Sequence, residues 1–149
     1  MITLVRTNSE HLDFINLVKD LDAYLKVTDG DEHEFYNQYN HINVIKHTVV
    51  AYVDDMPAGC GAFKAFENNC VEIKRMFTSA KFREQGVASA ILKELEVWAK
   101  ELHYNSCILE TGIRQTEAVE FYKKNNYVLI PNYGQYKNVT NSLCFKKLI

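Results

Sequence analysis

Proline and glycine are scarce in this chain, at two and six residues of 149. That excludes collagen-like repeats and the Pro/Gly-rich compositions of disordered linkers. No sign of charge dominates either: 17 Lys and Arg stand against 19 Asp and Glu, a formal net charge of −2. A protein that grips nucleic acid through many phosphates carries a basic excess, so nucleic acid is not an expected partner. No apolar run approaches the roughly 18 residues of a membrane span. The apolar stretch within Met1–Phe14 is too short for a secretory leader. A cytoplasmic protein without a membrane partner is therefore expected. The cysteines Cys60, Cys70, Cys107 and Cys144 form no CxxC pair, and each lies in a segment that reads as strand. Small buried hydrophobes kept reduced are the expectation for them. No two of His11, His33, His41, His47 and His103 have the spacing of a helical metal site, so no metal is expected.

What is present is strong periodicity. A chain of this length suits one domain, 1–149, able to bury roughly 70% of its unfolded surface. Ile2 to Thr7 alternates like a strand. Ser9 is a candidate helix cap, and Phe14, Ile15, Val18, Leu21 and Leu25 keep helical spacing after it. A weaker helix is expected from Glu32 to about Tyr39. Thr48–Val53, Pro57–Phe66 and Cys70–Phe77 read as a β-meander with turns at Asp54-Asp55 and Asn68-Asn69. Then Val87, Ala88, Ile91, Leu92, Leu95, Trp98, Ala99 and Leu102 fall on one helical face. A strand (Ser106–Thr111), a helix (Glu117–Asn125) and two closing strands (Tyr127–Ile130, Leu143–Lys147) complete the order β-α-α-β-β-β-α-β-α-β-β. The class is α+β, with a βαβ unit in its second half.

Between the strand ending at Phe77 and the helix starting near Val87 lies a loop whose core is Arg83-x-x-Gly86-x-Ala88. The first N–H groups of a helix have no internal partner, and the helix dipole favours negative charge there. Gly86 permits close approach of a ligand, and a pyrophosphate fits such a place. The loop is neither a Walker A motif nor a dinucleotide motif, because Gly-Lys-Ser/Thr and a third glycine are missing.

Val71-Glu72-Ile73-Lys74-Arg75-Met76-Phe77 followed by Arg83-Glu84-Gln85-Gly86-Val87-Ala88 resembles the coenzyme A segment of GCN5-related N-acetyltransferases (GNAT). Gln115-Thr116-Glu117-Ala118-Val119-Glu120-Phe121-Tyr122 through Tyr127 resembles that family's second segment. The order of elements matches over nearly the whole chain. Leu109 to Gly112 and Ile130 to Tyr136 suggest a bacterial branch of largely unassigned substrates. Ala88 stands where Gly is commoner, Ala80 where Pro is usual, and Asn126 where the family has Gly. The resemblance implies a GNAT-like mixed sheet flanked by helices, and acetyl-CoA as cosubstrate. It assigns coenzyme A binding to Met76, Phe77 and Thr78, to Arg83, Glu84, Gln85, Gly86, Val87, Ala88 and Ser89, and to Gln115 and Lys124. It implies direct acetyl transfer to a primary amine, through a general base and a tetrahedral intermediate. The alternative is a non-catalytic coenzyme A sensor or interaction module. A homodimer is compatible with either.

An alkyl amine has a pKa near 10.4, so on the order of one molecule in 10³ is neutral at pH 7. A carboxylate that takes its proton would help. Glu72, on the strand leading to the loop, is the first candidate base, and Glu110 on the adjacent strand the second. An ion pair of Glu72 with Lys74 or Arg75 is the structural alternative. By resemblance, Tyr122 lies near the departing sulfur, and a backbone N–H near Met76 or Phe77 faces the developing oxyanion. The acids and aromatics from Asp20 to Tyr39 suit a small-molecule or peptide amine acceptor, with Tyr133 and Tyr136 in a late loop able to close the same groove.

Overall fold

Short polar turns and alternating apolar residues build one sheet, described here in a computed structural model for residues 1–29 and 45–149. Its strands are β1 (Ile2–Thr7), β2 (His47–Val53), β3 (Met56–Ala65), β4 (Cys70–Thr78), β5 (Ser106–Gly112), β6 (Val128–Ile130) and β7 (Ser142–Leu148). The helices are α1 (Leu12–Asp29), α2 (Val87–Glu101) and α3 (Thr116–Lys124). Strand order is β1-β2-β3-β4-β5-β7-β6. Only β4 and β5 run parallel among these neighbours, with α2 as their crossover. The expected order therefore recurs, except that the helix expected over Glu32 to Tyr39 lies outside the described residues. No helix among the described residues is long and apolar enough to cross a membrane.

The meander turns work as the sequence implies. Asp54 and Asp55 have φ of +49° and +67°, and Asn68 and Asn69 of +57° and +61°. Asp and Asn tolerate this left-handed pair, whose twist matches that of the flanking strands. Asn126, at φ +71°, plays the same part after α3.

Helix α1 covers one face of the sheet, with Phe14 and Leu17 packed on Val50, Cys60 and Ala62. It starts at Leu12, and Ser9 does not cap it. The Ser9 hydroxyl instead accepts a hydrogen bond from the Ile45 N–H at 3.0 Å, because β1 and β2 are neighbours and need a joined entry. Helices α2 and α3 cover the other face. From the predicted apolar face of α2, Val87, Ile91, Leu92, Leu95 and Ala99 are buried. Each such large aliphatic side chain contributes about 1.5–3 kcal/mol of burial. Leu102, past the helix end, is exposed. Glu96 shares the buried face, where it accepts the Tyr127 hydroxyl at 2.9 Å and pairs with Lys147 at 2.9 Å. This half-buried pair ties α2 to β7. All four cysteines are free and buried in strands, and burial pushes the Cys60 and Cys107 thiols up to about 12.

Two glycines on β3 set how closely α2 lies on the sheet. A Cβ on Gly59 would stand 2.7 Å from the Phe77 carbonyl oxygen and 3.0 Å from Val87 Cγ1. A Cβ on Gly61 would meet Met76 Sδ at 2.5 Å and Ile91 Cγ2 at 2.8 Å. Gly59→Ala should therefore destabilise the fold by about 1–3 kcal/mol, the range for overpacking. Urea unfolding measures it; an unchanged midpoint would mean that α2 can retreat without cost.

Candidate active site

On β4 the register with β3 shifts between Cys60 and Ala62, where Gly61 alone opposes Arg75 and Met76. This extra residue is a β-bulge, and Arg75 adopts a left-handed φ of +59° within it. Pairing of β4 with β5 stops at Glu72 opposite Ile108, although the strands run on to Thr78 and Gly112. The parallel strands part, and the Met76–Thr78 backbone has no strand partner on the β5 side.

Two cavities open at this gap. The larger, about 350 Å³, takes in the loop and the start of α2. The residues that the sequence assigns to coenzyme A line it, apart from Gln85 and Lys124. Gln85 turns back on the loop, where its Nε2 donates to the Lys81 carbonyl at 3.4 Å. Lys124 is exposed in the last turn of α3. That helix lines the cavity with Glu117, Ala118, Phe121 and Tyr122, and Lys124 lies beyond the last of them.

Gly86 caps α2 with φ +83°, and neither a side-chain cap nor an acid occupies the first turn. The first helical hydrogen bond runs from the Ala90 N–H to the Gly86 carbonyl at 3.0 Å. The N–H groups of Val87, Ala88 and Ser89 are thus without helical acceptors. A Cβ on Gly86 would meet no atom within 4 Å, so the space over this helix end is open. Arg83 crosses its mouth: Nε donates to the Thr78 carbonyl at 3.3 Å, and the guanidinium lies 5.2 Å from the Tyr24 ring. Tyr24, grouped by sequence with the acceptor side, belongs to this larger cavity.

The smaller cavity lies under α1. Glu72, 2% exposed, accepts the Tyr133 hydroxyl at 2.6 Å on Oε2. Its Oε1 stands 3.8 Å from Lys74 Nζ and 3.9 Å from Lys64 Nζ. Arg75 turns instead to Asp22 of α1, at 2.8 Å. Of the two ion pairs open in the sequence, the one with Lys74 forms, at a length beyond a hydrogen bond. Across the gap Glu110 accepts the Ser142 hydroxyl at 2.7 Å. Burial, then the nearby carboxylates, push the Tyr133 and Tyr136 hydroxyls far up, so both stay protonated at neutral pH. Burial draws the Lys74 ammonium below the usual lysine range, opposed by Glu72.

The late loop does reach this cavity: Tyr136 lines it, and Tyr133 holds Glu72. Asn132, which sequence reasoning passed over, fixes the loop. Its Nδ2 faces the carbonyls of Tyr136, Val139 and Ser142 at 2.9–3.1 Å. The signal was an Asn directly after a Pro, the start of an ordered turn. Of the acidic run beginning at Asp20, Asp31, Glu32, Glu34, Phe35, Tyr36 and Tyr39 lie outside the described residues.

Leu21, Met76, Gln115, Ala118 and Tyr122 line both cavities. Gln115 precedes α3 without making a side-chain cap bond. Tyr122 packs its ring against Phe121, Tyr127 and Phe145 at centroid distances of 5.2, 5.8 and 6.3 Å. Its hydroxyl has no hydrogen-bond partner among the described residues, and burial, with Glu110 nearby, raises its pKa well above the ordinary phenol value.

Comparison with known proteins agrees with this arrangement. The profile of the Acetyltransferase (GNAT) family matches residues 14–127. An IAA acetyltransferase of Azospirillum brasilense is 25% identical over 98% of this chain and 97% of its own. The crystal structure of a candidate acyl-CoA N-acyltransferase of Klebsiella pneumoniae superposes with a TM-score of 0.83 at 25% identity, covering 99% of this chain and 97% of that one. A GNAT family acetyltransferase of Elizabethkingia anophelis with acetyl-CoA bound shares the fold, with a TM-score of 0.70 at 18% identity over 99% and 98% of the two chains. With the profile spanning both the parted strands and the tyrosine helix, the chain belongs to the GNAT family of acetyltransferases.

Proposed function

We propose that this protein transfers an acetyl group from acetyl-CoA directly to a primary amine. The observation that carries it is the position of Tyr122, where the cavity over the α2 N-terminus meets the cavity holding Glu72 and Glu110. One cavity suits a phosphorylated donor, the other an acceptor, and the reacting atoms belong where the two join.

The residues fit coenzyme A. Open space above Gly86 and the N–H groups of Val87, Ala88 and Ser89 suit its pyrophosphate. The unpaired edge of Met76–Thr78 suits its amide arm, with Gln115 on the opposite wall. When bound, acetyl-CoA would supply a thioester, an acyl group already activated toward nitrogen.

The chain's own groups then handle protons and charge. Glu72 takes the proton from the ammonium form of the acceptor, directly or through water. Tyr133 and Lys74 hold that carboxylate in place. A backbone N–H near Met76 or Phe77 steadies the oxygen that gains charge. Tyr122 donates a hydrogen bond to the leaving sulfur. Full proton transfer from tyrosine to a thiolate is uphill by about 2 kcal/mol from unperturbed values. Burial of Tyr122 makes it steeper, so the proton stays on the phenol.

Three variants test these roles. Gly86→Asn keeps a residue that tolerates the left-handed backbone and places a side chain in the open space. Calorimetry should find coenzyme A affinity reduced by about 10-fold or more, the loss of roughly one charge-assisted hydrogen bond, with a near wild-type melt. Unchanged affinity would remove the pyrophosphate from this helix end. Glu72→Gln should lower kcat by about 10²-fold, the lower range for a general base, while coenzyme A still binds. A wild-type rate and pH profile in that variant would pass the role to Glu110 or to water. Tyr122→Phe should slow single-turnover transfer by about 10- to 200-fold, matching loss of one such bond in the transition state. Equal rates would leave Tyr122 as a packing residue.

A further inference from the structure

The bulge that turns Arg75 toward α1 leaves Met76 on the other face of the sheet. Met76 packs there with the α2 core that holds Ile91 and Leu95, while Phe77 returns to the α1 side. Met76 is half-buried and lines both cavities. The end of its side chain lies where Gly61 carries none. Its Sδ stands 2.5 Å from the place of a Cβ on Gly61, with Ile91 Cγ2 at 2.8 Å and Leu95 Cδ1 at 3.0 Å from the same point. The thioether thus fills a niche bordered by glycine backbone and two aliphatic side chains.

An acyl group has to start where the two cavities join. With the sulfur at Tyr122 and the carbonyl oxygen at a backbone N–H near Met76 or Phe77, the acyl carbons begin between Tyr122 and Met76. Leu21, Met76, Ala118 and the Tyr122 ring give that junction mostly apolar walls, with Gln115 as its amide. From there a longer chain has two directions. Toward the smaller cavity it meets Glu72, Lys74, Arg75 and Glu110, whose charges it would strip of water. The acceptor needs that same space. Toward α2 it meets apolar surroundings, and the Met76 side chain already fills them.

Resting on the acetyltransferase reading above, we propose that Met76 sets the length of the acyl chain that the donor can carry. It admits the acetyl group and excludes longer chains by occupying the niche that they would need. Truncation to Ala removes Cγ, Sδ and Cε and leaves room for about three more carbons, walled by Gly61, Ile91 and Leu95. Apolar cavities of this kind stay dry and take up apolar ligands. Each methylene buried in one raises affinity by about four-fold.

Calorimetry of coenzyme A thioesters tests it without any acceptor. Acetyl-CoA, butyryl-CoA and pentanoyl-CoA are bound in turn to the wild-type chain and to Met76→Ala. In the wild type, affinity should fall with chain length, by about 10-fold from acetyl-CoA to pentanoyl-CoA, within the range for overpacking. In Met76→Ala the order should invert, with pentanoyl-CoA about 10-fold tighter than acetyl-CoA or more. Met76→Leu, which conserves volume, should keep the wild-type order. Each comparison is between ligands of one folded protein, so a loss of stability in a variant does not enter the ratio. Should Met76→Ala fail to fold, Met76→Val, which shortens the side chain less, should flatten the wild-type decline. Affinity that stays level or rises with chain length in the wild type would overturn this inference and leave the acetyltransferase reading standing. So would an undiminished decline in the truncated variants. Failure of the wild-type chain to bind acetyl-CoA at all would overturn both.

Discussion

Everything in this site depends on one extra residue in one strand. Opposite Gly61, β4 carries Arg75 and Met76 where a regular ladder has room for one residue. The bulge turns β4 out of line with its parallel neighbour, so that hydrogen bonding ends at Glu72 and Ile108. A sheet whose backbone groups were all paired would present no edge and no opening. Here the Met76–Thr78 edge, the helix end at Gly86 and the carboxylates Glu72 and Glu110 border one continuous gap. Gly61 on the facing strand leaves room for Met76, Ile91 and Leu95, whose side chains stand 2.5–3.0 Å from where its Cβ would lie.

The gap divides the work between elements. The α2 N-terminus and its glycine cap offer unpaired N–H groups, a fixed partial positive charge at the end proposed for the pyrophosphate. Helix α3 carries Gln115 and Tyr122 to the junction through its first two turns, anchored by the Tyr122–Tyr127–Phe145 ring cluster. Helix α1 roofs the other end with Leu21 and Leu25, and Asp22 pins it to Arg75. The loop after β6, tied by Asn132, presses Tyr133 onto Glu72. Away from the site, Glu96 holds Tyr127 and Lys147 together, so that the helices bearing the two halves of the larger cavity keep one spacing.

Much of this was legible in the residues. Asp54-Asp55 and Asn68-Asn69 name their turns, because few other residues accept two left-handed positions in a row. The apolar stripe of α2 and the Arg83–Ala88 loop were equally plain, since both depend on local spacing. The bulge was only half marked: alternation from Val71 to Lys74 breaks at Lys74-Arg75, but which residue is extra is set by the partner strand. The need for Gly59 and Gly61 was not legible either, because it arises only once α2 lies across β3. Ser9 looked like a helix cap, yet its hydroxyl is drawn to Ile45 by the pairing of β1 with β2. The place of Glu96 on the buried face of α2 is explained only by its partners Tyr127 and Lys147, which are distant in sequence. Lys124 sits in a matching segment but beyond Tyr122, the last residue of its helix to line the cavity.

Amide hydrogen exchange with and without acetyl-CoA tests the central claim most directly, because it reads the backbone groups to which binding is attributed. Protection should appear in peptides covering Met76–Thr78 and Val87–Ser89, the unpaired strand edge and the helix end, with β1 and β6 unchanged. No protection in those two segments, or protection confined to strands remote from the gap, would contradict a donor channel between β4 and β5.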